Sequence, residues 1–232
     1  MTDFIKVSPL KILEMTSQKG LGRGNLGVLM ARAGVGKTAC LIHIALDKIF
    51  RKEKLVHVSL EDMPEKVTSY YNVIFSDLVK ALNMQEENES RILLERNRMI
   101  LTYLNNSFEI DRFRNNLKNL IKNIEFTPDS IIVDGIDFEK VEIDIFKKFR
   151  ELASEFQVEI WFSALSHRHI TDVNERGIPY PCNRMDELLS IIIQLQPTQS
   201  GVFMTLLKDY DREIPESARV RLDPNTFLVS PD

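Results

Sequence analysis

Residues 31–38 read ARAGVGKT, a run whose residue types and spacing could bind nucleotide phosphates. It fits the pattern GxxxxGKS/T, except that Ala31 stands at the first glycine position. In such a loop, backbone N–H groups and a helix N-terminus hold the β-phosphate, the lysine neutralises β- and γ-oxygens, and the hydroxyl ligates Mg²⁺. We therefore expect Lys37 and Thr38 to hold ATP and Mg²⁺, while Gly36 lets the backbone come close. The predicted nucleotide-binding residues are Ala31, Arg32, Ala33, Gly34, Val35, Gly36, Lys37, Thr38 and Ala39.

Three polar residues stand at or near the ends of other predicted strands. Glu61 follows VHVSL, Asp134 follows SIIV, and Ser163 lies within WFSAL. Ligands of an open parallel sheet lie beyond the carboxyl ends of its strands, so these side chains should converge on the phosphate loop. We expect Asp134 to hold Mg²⁺, Glu61 to orient and deprotonate the attacking water, and Ser163 to hydrogen-bond the γ-phosphate. Each could instead cap the helix after its strand. Two further carboxylates, Asp62 and Asp137, are alternatives for these roles.

The composition limits the partners and the compartment. The chain has 232 residues, 44% of them hydrophobic, and a formal net charge of −4, which is ordinary for one globular domain. This acidic balance argues against a surface dominated by phosphate-binding cations. The first residues contain no apolar signal-peptide core, and no apolar run reaches the roughly 18 residues that span a bilayer. We expect a cytoplasmic protein without a membrane partner. Cys40 and Cys182 lack the spacing of a disulfide framework or a zinc site.

Short apolar runs alternate with helical patterns along most of the chain. Strands are predicted at 26–31, 54–60, 130–134 and 158–165. Helices are predicted after Ser8 and Pro9, over 39–50, within 61–82, and over 110–124 and 145–156. This alternation indicates right-handed βαβ units, and therefore an α/β domain with a mainly parallel central sheet flanked by helices.

Two parts of the chain depart from the alternation. Residues 84–108 carry charges of both signs around apolar positions at helical spacing, which predicts an inserted helical hairpin. After residue 188 the helical patterns stop, and strand-like runs at 188–196, 201–210, 218–223 and 226–230 are separated by turn residues. We expect these runs to add antiparallel C-terminal strands at one edge of the sheet.

The chain resembles the RecA-like P-loop ATPases, in particular the branch of DnaB-type replicative helicases and KaiC- and RadA-type ATPases. GLGRGNLGVLMARAGVGKT looks like the family's first strand and phosphate loop, VHVSLEDM is similar to the segment with its catalytic carboxylate, and IIVDG matches its Walker B strand. The resemblance covers most of residues 19–230 and implies one RecA-like domain over 1–232. It gives Glu61 the catalytic role and Asp134 the Mg²⁺-associated role. Ala164 and His167 depart from the family's glutamine and asparagine.

A second part of the resemblance concerns assembly. MTLLKDYDRE is similar to the strand on which the family presents a Lys-x-Arg finger into the neighbouring subunit's site. Lys208 matches that lysine, Tyr210 stands at the arginine position, and Arg212 is a candidate substitute. The resemblance therefore implies a homo-oligomer, either a ring or a filament, in which Lys208 completes the neighbour's catalytic site.

The loop at 166–184 corresponds to the region that contacts single-stranded DNA in family members. Its arginines, Arg168, Arg176 and Arg184, are the candidate nucleic-acid contacts; the alternative is a solvated connecting loop. The sequence therefore predicts an Mg²⁺-dependent ATPase with sites shared between subunits. Two alternatives remain open, namely an ATP-binding switch or scaffold with little hydrolysis and a motor on single-stranded DNA.

Overall fold

The fold is an α/β arrangement with a mixed sheet at its centre, seen in a computed structural model that describes residues 2–16, 20–103, 107–167, 170–199, 201–215 and 217–230. Within these ranges the chain forms an eight-stranded sheet and six α-helices. The strands are β1 Leu26–Ala31, β2 Leu55–Ser59, β3 Arg98–Thr102, β4 Ser130–Asp134, β5 Glu159–Leu165, β6 Ile191–Thr198, β7 Gly201–Asp209 and β8 Arg219–Leu222. The helices are α1 Thr2–Val7, α2 Lys37–Phe50, α3 Pro64–Ala81, α4 Glu87–Arg96, α5 Ile110–Asn123 and α6 Ile143–Phe156. Two 3₁₀ helices span Pro9–Met15 and Cys182–Leu188.

The strand order across the sheet is β3-β2-β4-β5-β1-β6-β7-β8. The six strands from β3 to β6 are parallel, whereas β7 and β8 are antiparallel. The predicted α/β fold with a mainly parallel sheet and an antiparallel C-terminal edge is confirmed, with two changes. Strand β6, which we expected among the antiparallel strands, pairs in parallel with β1. The last expected strand is reduced to one bridge between Leu222 and Val229.

Helices cover both faces of the sheet. Helices α1 to α4 pack on one face and α5 and α6 on the other, each against a cluster of buried apolar residues. All six residues of β1 are buried, as expected for a central parallel strand that reads as an uninterrupted apolar run. The carboxyl end of β1 is therefore fixed from both faces, and the phosphate loop starts from a rigid point.

The helical hairpin predicted at 84–108 is wrong in its second half. Helix α4 is present, but residues 98–102 form β3, an edge strand that pairs in parallel with β2. The apolar run from Met99 to Leu101 is short, and a run of that length does not distinguish a helix from a strand. The decisive interaction is the backbone pairing with β2, which local periodicity cannot reveal.

None of the helices described here combines the length and the apolar character that a membrane span requires.

Candidate functional site

The phosphate loop joins the end of β1 to the start of α2. Gly34 and Gly36 have φ values of 75° and 98°, in the left-handed region that glycine adopts without a steric penalty. Gly36 is the N-cap residue of α2, and its carbonyl accepts the first helical hydrogen bond from Cys40 N–H at 2.9 Å. The first N–H groups of α2 have no carbonyl partner within the helix. The loop therefore offers the donors of an anion site, with Lys37 and Thr38 in the first helical turn.

The ammonium of Lys37 lies back over its own loop. Its Nζ is 3.5 Å from the carbonyl oxygen of Arg32. Burial lowers the pKa of Lys37, while the nearby carboxylates of Asp134 and Glu61 act in the opposite direction. Lys37 thus interacts electrostatically with both acidic side chains that the sequence predicted for the site.

Asp134 is the centre of a hydrogen-bonded group formed by three elements. Thr38 Oγ1 donates to Asp134 Oδ2 at 2.8 Å, and Ser163 Oγ donates to Asp134 Oδ1 at 2.5 Å. Ser163 Oγ also accepts from Gly135 N–H at 3.2 Å. These contacts occur because β5 lies between β4 and β1 in the sheet, so the carboxyl ends of all three strands meet. The hydroxyl of Ser163, which the sequence predicts to hydrogen-bond the γ-phosphate, donates to Asp134 in this structure.

Glu61 lies beside Asp134, across Gly135. Gly135 has a φ of 89°, and a Cβ at this residue would stand only 2.7 Å from Glu61 Cγ. Partial burial raises the pKa of Glu61, with further contributions from the carboxylates of Asp134 and Asp62. A raised carboxyl pKa suits a group that must take a proton near neutral pH. The sequence did not indicate the role of Gly135, although its position directly after Asp134 was a usable signal.

The two alternative carboxylates are each paired with a lysine. Asp62 forms an ion pair with Lys66 at 2.6 Å on the first turn of α3, and its N–H donates to Ser59 Oγ at 2.9 Å. Asp137 lines the same cavity as Glu61, but Lys140 binds its carboxylate at 2.8 Å, and this hydrogen bond lowers the pKa of Asp137. Glu61 is therefore the better candidate for a general base.

These groups line a cavity of about 870 Å³ at the carboxyl edge of the parallel strands. Such a volume is within the usual range for a small-molecule site. The cavity is also lined by residues that the sequence does not predict for the site, among them Glu139, Leu165 and His167. His167 Nε2 lies 2.9 Å from Glu139 Oε1, which joins the loop after β5 to the loop after β4.

The oxygen donors of the site fit Mg²⁺. Thr38 supplies a hydroxyl and Asp134 a carboxylate, and Mg²⁺ is commonly held by one or two carboxylates together with phosphate and water oxygens. Among the described residues, no group of three or more His, Cys, Asp or Glu side chains could hold a metal ion. A magnesium ion at this position would therefore depend on the phosphates of the nucleotide for further ligands.

Lys208 is not the exposed finger that the sequence predicts. Its side chain is buried, and Nζ donates to the backbone oxygen of Asp186 at 2.6 Å and to Oδ1 at 2.7 Å. A bulge shifts the β6–β7 register between Ile192 and Ile193, and a bulge breaks the alternation of side chains along a strand. Lys208 consequently pairs with Ile192 and faces the side of the sheet on which Asp186 lies.

The alternative finger also binds within its own chain. Arg212 Nη1 is 3.4 Å from the carbonyl oxygen of Thr16 and 3.7 Å from Asp209 Oδ2. Asp209 pairs with Ile191 at the start of β6. Arg212 therefore lies near the amino ends of the parallel strands, whereas the phosphate loop lies at their carboxyl ends.

The candidate nucleic-acid loop is held against the domain where it is described. Arg176 Nη1 lies 3.5 Å from Asp186 Oδ2, and Arg184 Nη1 donates to the carbonyl oxygen of Glu139 at 3.0 Å. Arg168 lies outside the described residues. The contact of Arg184 fixes the segment after β4 that forms one wall of the cavity, a structural role that the sequence did not indicate.

No protein-family model matches the chain, and a comparison with curated proteins gives no match.

Proposed function

We propose that the chain is an Mg²⁺-dependent ATP-binding protein that hydrolyses ATP, with the organisation of a RecA-like P-loop ATPase. The observation that carries the proposal is the 2.8 Å hydrogen bond between Thr38 and Asp134, which are 96 residues apart in the sequence. A hydroxyl directly after a phosphate-loop lysine and an aspartate that ends a neighbouring strand are the Mg²⁺-associated pair of P-loop NTPases. Their meeting beside the start of α2 is difficult to explain by packing alone.

The binding step follows from charge and donor geometry. The N–H groups at the start of α2 would hold the β-phosphate, and Lys37 would move from the carbonyl of Arg32 to the β- and γ-oxygens. A bound Mg²⁺, held through Thr38 and Asp134, supplies positive charge beside the same oxygens. Ser163 keeps the Asp134 carboxylate in one orientation, because its hydroxyl occupies Oδ1.

The hydrolytic step assigns the proton to Glu61. The carboxylate of Glu61 takes a proton from a water molecule while the water oxygen attacks the γ-phosphorus. The bond from that phosphorus to the β,γ-bridging oxygen breaks, and ADP and inorganic phosphate are formed. The raised pKa of Glu61 favours its acceptance of the proton, and the packing against Gly135 sets the position from which it acts.

The RecA-like assignment is supported by the quoted motifs together with the sheet. The strand that ends in Asp134 is separated by one strand from the strand that leads into the phosphate loop. Two antiparallel strands, β7 and β8, then follow at the C-terminal edge.

A second candidate function, an ATP-binding switch with slow hydrolysis, is favoured by one observation. Lys208, the residue expected to add a second cation to a neighbour's γ-phosphate, is buried in an ion pair with Asp186. In GTPases and related NTPases, a finger cation of this kind raises kcat by about 10³- to 10⁵-fold. The third possibility, a motor on single-stranded DNA, draws no support from Arg176 and Arg184, because both bind groups of their own chain.

Equilibrium binding and turnover of ATP test the proposal. We expect the wild-type protein to bind ATP with Mg²⁺, Lys37→Ala to lose binding by about a hundredfold or more, and Glu61→Gln to bind ATP with turnover lowered about 10²-fold. Glu65→Gln, an acidic first-turn residue of α3, is the matched control and should leave both unchanged. Near-normal ATP affinity in folded Lys37→Ala would contradict the proposal.

Turnover measured with and without single-stranded DNA, across a range of protein concentrations, separates the candidate functions. A rate per subunit that rises with concentration supports shared sites, and a DNA-dependent rate supports a motor. Tight binding with very slow turnover under all conditions supports the switch.

A further inference from the structure

The ring of Phe227 packs directly on the phosphate loop. A Cβ added to Gly36 would lie 2.1 Å from Phe227 Cζ and 2.7 Å from Cε1, so the ring fills the space in which any side chain at that position would stand. Phe227 does not line the cavity that contains Lys37 and Thr38. The ring therefore supports the loop from outside the proposed nucleotide site.

The backbone of Phe227 is held in an unusual conformation. Its φ is 54°, a left-handed value that is rare for bulky residues and is maintained only where the surroundings fix it. Asp223 provides that restraint. Its carbonyl accepts from Phe227 N–H at 2.8 Å, and its Oδ1 accepts from Asn225 N–H, Thr226 N–H and Thr226 Oγ1 at 3.0, 2.8 and 3.0 Å. The segment 223–228 is thus a braced turn, which we call the C-terminal turn.

Aromatic stacking connects the C-terminal turn to the start of the chain. The rings of Phe227 and His43 are 6.4 Å apart between centroids, and those of His43 and Phe4 are 5.9 Å apart. Directly after the turn, Val229 N–H donates to the carbonyl of Val7 at 2.8 Å. Residues of α1, of α2 and of the C-terminal turn therefore form one packed column whose end is the contact with Gly36.

We propose that Phe227 is a positioning residue for nucleotide binding and that the C-terminal turn holds the phosphate loop in the conformation that accepts phosphate. This inference rests on the proposed function. Glycine loses more backbone freedom on ordering than any other residue, and Gly36 has no side chain of its own to restrict it. Contact with a rigid ring removes that freedom before the ligand arrives, which lowers the ordering cost of binding.

The expected consequence is a change in affinity rather than in chemistry. Without the ring, part of the ordering of Gly36 must occur when ATP binds, which should weaken ATP binding about tenfold. Turnover at saturating ATP should change by less than about twofold, because Glu61 and Asp134 do not depend on the ring once the nucleotide is in place.

Hydrogen exchange and ATP titration on the full chain test the inference. In Phe227→Ala, without nucleotide, we expect amide exchange over residues 32–38 to rise about tenfold and the Kd for ATP to rise by a similar factor. Phe227→Leu should restore most of both values. Phe203→Ala is the matched control, because Phe203 is also a partly buried ring of the C-terminal region but contacts Arg219; it should change neither quantity.

Two results would overturn the inference. One is unchanged exchange over residues 32–38 in Phe227→Ala, and the other is an equal increase in Phe203→Ala, which would indicate general loosening. Failure of the proposed function gives a different result, namely a wild-type protein that binds no ATP. The exchange measurement needs no nucleotide, so the two failures are distinguishable.

Discussion

Replacing Gly135 by alanine should displace the proposed general base without removing it. The new Cβ would stand 2.7 Å from Cγ and 3.1 Å from Cδ of Glu61. Carbon atoms pack at about 3.5–4.0 Å, so the Glu61 side chain must retreat by about 1 Å. The three atoms nearest to the added Cβ all belong to Glu61, and none belongs to the phosphate loop.

The geometry sets the expected size of each effect. A displacement of about 1 Å in a catalytic group costs on the order of 10²-fold in rate, so kcat should fall by about that factor. The φ of 89° at Gly135 adds backbone strain of about 1–2 kcal/mol for an L-residue, which should appear as lost stability. The Kd for ATP should stay within about threefold of wild type, because Lys37 and Thr38 keep their contacts.

Two comparison variants separate strain from displacement. Gly177 has a φ of 75° and no atom within 4 Å of an added Cβ, so Gly177→Ala should lose similar stability and keep the wild-type kcat. In a Glu61→Gln background, Gly135→Ala should lower kcat no further, since both changes act through the same carboxylate. The assays are single-turnover ATP hydrolysis and urea unfolding.

Either of two results would refute this reasoning. If Gly135→Ala hydrolyses ATP at the wild-type rate, a displaced Glu61 is immaterial and the base is another group. If the double variant loses a further factor of about 10², Gly135 acts on the site independently of Glu61.

Three further outcomes are expected. Removal of Mg²⁺ by a chelator should weaken ATP binding measured by titration, because Asp134 and Glu61 then face the phosphates with Lys37 as the main opposing charge; equal affinity in both conditions would contradict the Mg²⁺ assignment. The acidic limb of kcat/KM should lie above the ordinary glutamate pKa, because activity is lost as the pH falls through the raised pKa of Glu61, and Glu61→Gln should abolish that limb. Lys208→Met should lower the free energy of unfolding by at most about 3–5 kcal/mol, because the buried carboxylate of Asp186 loses its buried cation and keeps the exposed Arg176 and the Asn174 amide at Oδ2, while kcat of the folded protein is unchanged. A large loss of kcat with normal urea unfolding would instead support a catalytic role for Lys208.

The sequence was informative where function depends on short spacing. Lys37 and Thr38 are adjacent within one loop, and the chemistry of a phosphate site restricts both residue types. Asp134 and Glu61 could be predicted from a topological rule, since parallel strands present their carboxyl ends at one edge of the sheet. The roles predicted for these residues remain to be tested, but the structure brings their side chains to one cavity.

The features that the sequence did not reveal depend on backbone geometry and on distant contacts. Lys208 lies on the face of the sheet that carries Asp186 because of a bulge in the pairing of β6 and β7, and a bulge of one residue cannot be recognised in the apolar pattern. The contact of Phe227 with Gly36 joins residues far apart in the chain through a left-handed backbone conformation. Neither residue type nor periodicity predicts such a conformation for phenylalanine.

The inward position of Lys208 removes the cation that the resemblance assigns to a neighbouring subunit's site. The lysines that line the cavity within the described ranges are Lys37 and Lys140, and Lys140 is exposed and paired with Asp137. Charge that develops on the γ-phosphate during hydrolysis would therefore be met mainly by Lys37 and the metal ion, without the second cation that accelerates related enzymes. Under the proposed function, the site has groups to bind ATP with Mg²⁺ and to orient water, but no such second cation of its own among the described residues. We infer that the isolated chain holds ATP for long periods between turnovers, so fast hydrolysis would require a cation supplied by another molecule.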